Sequence, residues 1–201
     1  VSQTLALADD LGVTGFDRGI SGDSPYQIAW RMGALAWHVT VPGGTIPASG
    51  KVAATIEPAL GHNQARTWES STVDVTGKLV RVRISHTAAT PGAVPAWEIE
   101  QVAGVDEARI LPGSRIKYTG APNTEAFNSP ATFWIGRNDI NSERTLASLK
   151  AMLSQHRDPL RRRLVLPIFN RSTEAAGTPG YIEVMALNEQ IKVLAGEDFF
   201  D

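Results

Sequence analysis

The apolar periodicity of this chain changes twice, and those two changes limit what it can fold into. Near the N-terminus apolar residues recur at helical spacing: Leu5, Leu7, Ala8 and Leu11 with Gly12 as a stop, then Ile28, Met32 and Leu35. Residues 13–16 can form a short strand, and Arg18-Gly19-Ile20-Ser21-Gly22-Asp23-Ser24 is a tight glycine turn. Ser24-Pro25 opens the next helix, Ser as cap and Pro at the first helical position. From about Trp37 the period falls to two. Trp37, Val39 and Val41 alternate, and Val80, Val82 and Ile84 alternate with Arg81 and Arg83. Val73-Asp74-Val75 and Thr76-Gly77 precede that run, which predicts a β-hairpin. Residues 97–100 and 115–118 read as further short strands, so residues 38–119 are expected to be all-β, a small sandwich or barrel.

After Gly120-Ala121-Pro122-Asn123 the helical period returns. A strand is expected over 133–136 and a helix over 142–156, capped by Asn141 or Ser142. A buried strand is expected over 164–169, a helix from Pro179 and a last strand from Asp198. Strands alternating with helices predict a parallel sheet covered on both faces.

With 201 residues the chain is long enough for one large domain or one core with an insert. A formal charge of −2 gives no global pull toward nucleic acid or an anionic membrane. There is no Cys, which excludes disulfides and thiolate metal sites. No apolar run is long enough to span a bilayer, and no phosphate loop, metal triad or dinucleotide fingerprint is present. Val1 falls inside a helical pattern and Phe199-Phe200-Asp201 inside a strand pattern, so both ends are expected to be cuts in a longer protein.

The stretch with most chemical content is Trp134-Ile135-Gly136-Arg137-Asn138-Asp139. It follows a strand, and α/β folds place ligands at the carboxyl ends of their strands. An Asn there can donate its amide to charge growing on a substrate oxygen. Together, Ile20-Ser21-Gly22-Asp23-Ser24 and Gly136-Arg137-Asn138-Asp139 resemble the second and third of the four sequence blocks of the SGNH hydrolases, or GDSL esterases. Gln27-Ile28-Ala29-Trp30-Arg31-Met32-Gly33-Ala34 and Thr45-Ile46-Pro47-Ala48-Ser49-Gly50 are similar to a subgroup from phage tail and bacterial surface proteins. That subgroup carries a β-domain between those two blocks.

The resemblance implies a three-layer α/β/α sandwich on a parallel sheet, split as core (1–37), β-rich insert (38–119) and core (120–201). It implies a serine esterase acting on an ester or acylated carbohydrate, acetyl groups among the acyl groups. Gly22 would offer its backbone N–H and Asn138 its side-chain amide to the oxyanion. It implies no cofactor or metal, no nucleic acid or membrane partner, and a place in a larger virion-associated or extracellular assembly. The family's Asp-x-x-His pair and first-strand Ser have no counterpart here, so the chain as given is expected to be an inactive fragment. The alternative is a non-catalytic module that binds glycan or protein.

Other residues have plainer readings beside their functional ones. Ser24 spells the nucleophile motif Gly-Asp-Ser, but Pro25 after it favours a helix cap. His38, His62, His86 and His156 read as structural or surface residues. Arg161-Arg162-Arg163 reads as a solvated cluster, Asp9-Asp10 as helix surface, and Glu98, Glu100, Asp106 and Glu107 as alternation on a strand. Trp68 and Trp97 suit a core before a sugar platform. Asn170-Arg171-Ser172-Thr173-Glu174 follows a strand end, where it either borders a cleft or is a plain loop.

Overall fold

Alternating burial draws the middle of the chain into a closed barrel. The structure, a computed structural model, describes residues 23–58, 65–87, 96–104, 106–119, 130–138, 140–156, 160 and 162–200. Eight strands come first: β1 (Trp37–Thr40), β2 (Thr45–Ile46), β3 (Lys51–Glu57), β4 (Arg66–Val73), β5 (Leu79–His86), β6 (Trp97–Gln101), β7 (Ala108–Arg109) and β8 (Ser114–Tyr118). Six close in the order β1-β3-β6-β5-β4-β8, each antiparallel to its neighbours. Closure removes the unpaired edges that an open sheet of this size would expose. β2 and β7 pair as a separate ribbon. The β4–β5 hairpin runs in register from Arg66↔His86 to Val73↔Leu79. Its turn is held by the Asp74 carboxylate, which accepts from the backbone N–H of Thr76 and of Lys78, each at 2.9 Å.

The barrel is filled with aromatic rings. Trp37, Trp68 and Trp97 point inward with Val39, Ile56, Val82, Ile84, Ile99 and Ile116. The fourth indole comes from outside the strands: Trp30, on helix α1 (Pro25–Arg31), lies flat on Trp37 at 4.2 Å and 6°. Its Nε1–H donates to the Ile116 carbonyl at 3.1 Å. Each such ring removes roughly 150–250 Å² from water. At about 25 cal/mol per Å², that is at most roughly 4–6 kcal/mol per indole.

A second, smaller core lies beyond α1. It contains Phe133 of β9 (Ala131–Phe133), Leu149 and Met152 of α2 (Ser142–Gln155), Val165 of β10 (Arg163–Val165), and Val184, Leu187 and Ile191 of α3 (Pro179–Ala195). Ala29 belongs to this core and Trp30 to the barrel, so neighbouring residues of α1 tie the two together. Asn141 caps α2 by accepting from the Arg144 N–H at 2.9 Å, and Thr178 caps α3.

The expected three-layer α/β/α sandwich on an SGNH-type parallel sheet is not what these residues build. Among the described residues the fold is mostly antiparallel barrel with three short helices. Among the described residues, parallel pairing is confined to β9 with β10, three residues each, plus one bridge from Val165 to Phe199. The reason lies in the strands. A strand in a sheet covered on both faces is apolar at every position, whereas Thr132 and Leu164 at the centres of β9 and β10 are exposed. The centres of both strands therefore face water. The expected strand over 164–169 ends at Val165, with Pro167 close behind it.

Candidate functional site

The turns that leave β9 and β10 meet at the carboxyl ends of those strands. Gly136 shapes the first turn. Its φ of +107° lies in a region open to glycine, and a Cβ there would stand 2.6 Å from Ile168 Cδ1. The Gly136 backbone thus packs directly against the side chains of Ile168 and Thr145. Asn188 of α3 anchors the second turn, accepting from the Ile168 N–H at 2.7 Å and donating to its carbonyl at 2.9 Å.

Beyond Gly136 two side chains reach outward to partners far away in sequence. Arg137 grips Glu174 through both guanidinium nitrogens, at 2.6 and 3.0 Å, and donates to the Phe169 carbonyl at 3.2 Å. Arg137, together with the Arg171 backbone N–H at 2.9 Å, holds the Glu174 carboxyl below the ordinary carboxylate value. Asn138 donates its side-chain amide to the Asp23 carbonyl at 3.1 Å. Asp23 is itself buried and bound to Arg31, with Oδ2 2.7 Å from Nη2 and 2.8 Å from Nε.

Two aromatic rings lie on this rim with more than half their surface in water. Trp134 is 52% exposed and Phe169 56%, their centroids 5.4 Å apart and their planes tilted by 57°. Neighbouring Ile135 and Ile168 are buried, so the rings stand on fixed backbone. Sequence reasoning did not single out either ring. The signal was Trp134 directly after an apolar strand, and Phe169 ending an apolar run broken by Pro167.

The remaining candidates divide plainly. Gly22, Asp139, His62, Arg161 and Asp9-Asp10 lie outside the described residues. Asn138 reaches Asp23, the residue after Gly22. Ser24 is buried and caps α1 in a reciprocal pair with Gln27. His38 is exposed on β1. His86 packs against both Trp68 and Trp97, at 5.5 and 4.7 Å. His156 ends α2 edge-on to Phe133. Arg163 is bound to Asp198 at 2.5 Å and to the Leu153 carbonyl. Trp68 and Trp97 are barrel core, each 4% exposed. Glu98 and Glu100 pair with Lys51 and Arg83 on the barrel surface. Of the segment 170–174, Glu174 belongs to the rim.

Among the described residues no cluster of His, Asp and Glu could hold a metal ion, and no helix is long and apolar enough to cross a membrane. Compared with protein-family models, curated proteins and solved structures, the chain matches none. The resemblance to the SGNH hydrolases is corrected accordingly: with a barrel in place of the α/β/α layers and no matching relative, neither membership of that family nor its hydrolase, esterase and phage-tail descriptions are supported.

Proposed function

We propose that this chain is a non-catalytic binding module, and that its ligand is a carbohydrate seated on the Trp134–Phe169 rim. The exposed, closely spaced ring pair carries the reading. Two large rings side by side and half in water offer adjacent faces on which a ligand can stack. The apolar C–H face of a pyranose fits the negative face of an indole, and its hydroxyls would lie toward Glu174 and the main chain around it. Nucleic-acid bases also stack on aromatic rings, but their phosphates call for cations. Here Arg137 is already engaged by Glu174 and the chain carries a net charge of −2. The bound states of Ser24 and Asn138 favour binding over ester chemistry, since the first caps a helix and the second is spent on a main-chain carbonyl.

The test is an array of immobilised oligosaccharides probed with the wild-type chain, Trp134→Ala and Phe169→Ala, each checked for fold by circular dichroism. Retention of a pyranose oligosaccharide that drops about tenfold or more in each variant is the expected result. No retained glycan, or equal retention by the variants, would overturn it. Hydrolysis of p-nitrophenyl acetate that disappears in Asn138→Ala would replace binding with catalysis.

A further inference from the structure

Helix α3 is apolar on two opposite sides. Its inner side sends Val184, Leu187, Ile191 and Ala195 into the small core. Along its outer side run Ile182, Ala186, Glu189 and Val193, separated by alternating steps of four and three residues, with Glu189 the polar member. All four are exposed, Ile182 by 58% and Val193 by 84%. A helix that carries apolar residues all round is suited to packing on both sides. The outer stripe borders a groove of about 650 Å³ between α3 and α2. Leu146 and Leu194 line this groove and are only partly covered by the core. Lys150 stands on its α2 side and Glu189 on its α3 side. Both are exposed, and among the described residues neither side chain makes an ion pair or a hydrogen bond.

An apolar groove with a cation on one side and an anion on the other is complementary to itself. A two-fold axis running along the groove sets α2 of one copy against α3 of the other. Lys150 of each copy then meets Glu189 of its mate, so the contact is made twice, and the apolar residues of each groove cover those of the other. Other occupants answer less of the surface. An anionic amphiphile would satisfy Lys150 and meet a like charge at Glu189. Packing the outer stripe of α3 on its own copy would enclose Glu189 among apolar side chains with no cation in the stripe to face it. We infer that the α2–α3 groove is a self-association surface, which joins two copies of this chain through reciprocal Lys150–Glu189 pairs. The surface is distinct from the aromatic rim, and the inference does not depend on what the rim binds.

Sedimentation velocity over a concentration series tests this, with wild type, Lys150→Glu, Glu189→Lys and the double variant. Wild type is expected to pass from monomer to dimer as concentration rises. Each single reversal sets like charges face to face at both contacts, and is expected to weaken association about tenfold or more. The double variant restores both pairs and is expected to dimerise as wild type does. An equal mixture of the two single variants is expected to form a mixed dimer, since every Glu then meets a Lys. Both side chains are exposed, so circular dichroism spectra and melting temperatures of the monomers should match wild type. A wild type that stays monomeric throughout the series overturns the inference. A dimer that tolerates either single reversal places the contact on another face and overturns it too. Failure of the double variant or of the mixture to associate removes the Lys150–Glu189 pairing and with it the inference.

Discussion

The side-chain amide of Asn138 donates to the main-chain oxygen of Asp23 across 115 positions of sequence. It joins the turn after β9 to the start of α1, the helix whose Trp30 lies in the barrel core. Asn138→Ala removes that link. A neutral hydrogen bond contributes about 0.5–1.5 kcal/mol net, so a loss of about 1 kcal/mol is expected in urea unfolding. An unchanged midpoint would mean that the turn and α1 are not coupled through this bond.

Gly136→Ala is expected to cost more. An added Cβ meets Ile168 Cδ1 at 2.6 Å, and the backbone must hold φ at +107° with a side chain present. Strain of this kind costs about 1–3 kcal/mol. It also displaces the Ile168 side chain, next to Phe169. Thermal unfolding should show the loss, and ligand retention on the array should fall with it. A variant as stable as wild type would contradict the close approach.

Glu174 makes the rim sensitive to acid. Arg137 and the Arg171 backbone hold its carboxyl below its ordinary value of 4.5 in the folded chain. The folded state therefore binds fewer protons at Glu174 than the unfolded state does. The resulting stability is present above about pH 4.5 and is lost as pH falls through the depressed folded value. Melting temperatures measured against pH should show a shallower acid decline in Glu174→Gln than in wild type. Parallel curves would remove Glu174 from the account.

His86 acts in a higher window. Its folded value lies below the ordinary 6.5, first because it is buried and also because Arg66 is nearby. The unfolded chain takes up the proton first. Stability from the neutral ring is complete above about pH 6.5 and falls as pH drops from there to the folded value. His86→Phe keeps an aromatic ring against Trp68 and Trp97 and cannot be protonated. Its stability should therefore be flat over that window while wild type declines. Equal declines would place the titration elsewhere.

Much of the barrel was legible because a period of two in Trp37, Val39, Val80, Val82 and Ile84 has a single reading: one face in, one face out. The turn at Thr76-Gly77 and a cap at Asn141 or Ser142 were legible for the same reason, since each depends on a few adjacent residues. Strand pairing order is set by contacts distant in sequence, and no local pattern encodes the β1–β8 closure. Trp30 shows the limit well. By spacing it is one residue of an amphipathic helix, yet its ring completes a core built from strands. The α/β/α expectation failed because alternating strands and helices were taken as a complete sheet, while in the structure Thr132 and Leu164 at the strand centres face water. Asn138 was singled out for its amide, whose partner in the fold is a main-chain carbonyl. Trp134 and Phe169 were overlooked because an aromatic residue beside an apolar run reads as core.

The most direct test of the carbohydrate reading uses the five indole N–H signals in a ¹H–¹⁵N correlation spectrum of the chain. Trp30, Trp37, Trp68 and Trp97 are at most 4% exposed, and Trp134 is 52% exposed. On adding the oligosaccharide that the array selects, the Trp134 indole signal should shift while the four buried ones stay in place. A Trp134 signal that stays still while the ligand binds would contradict the account.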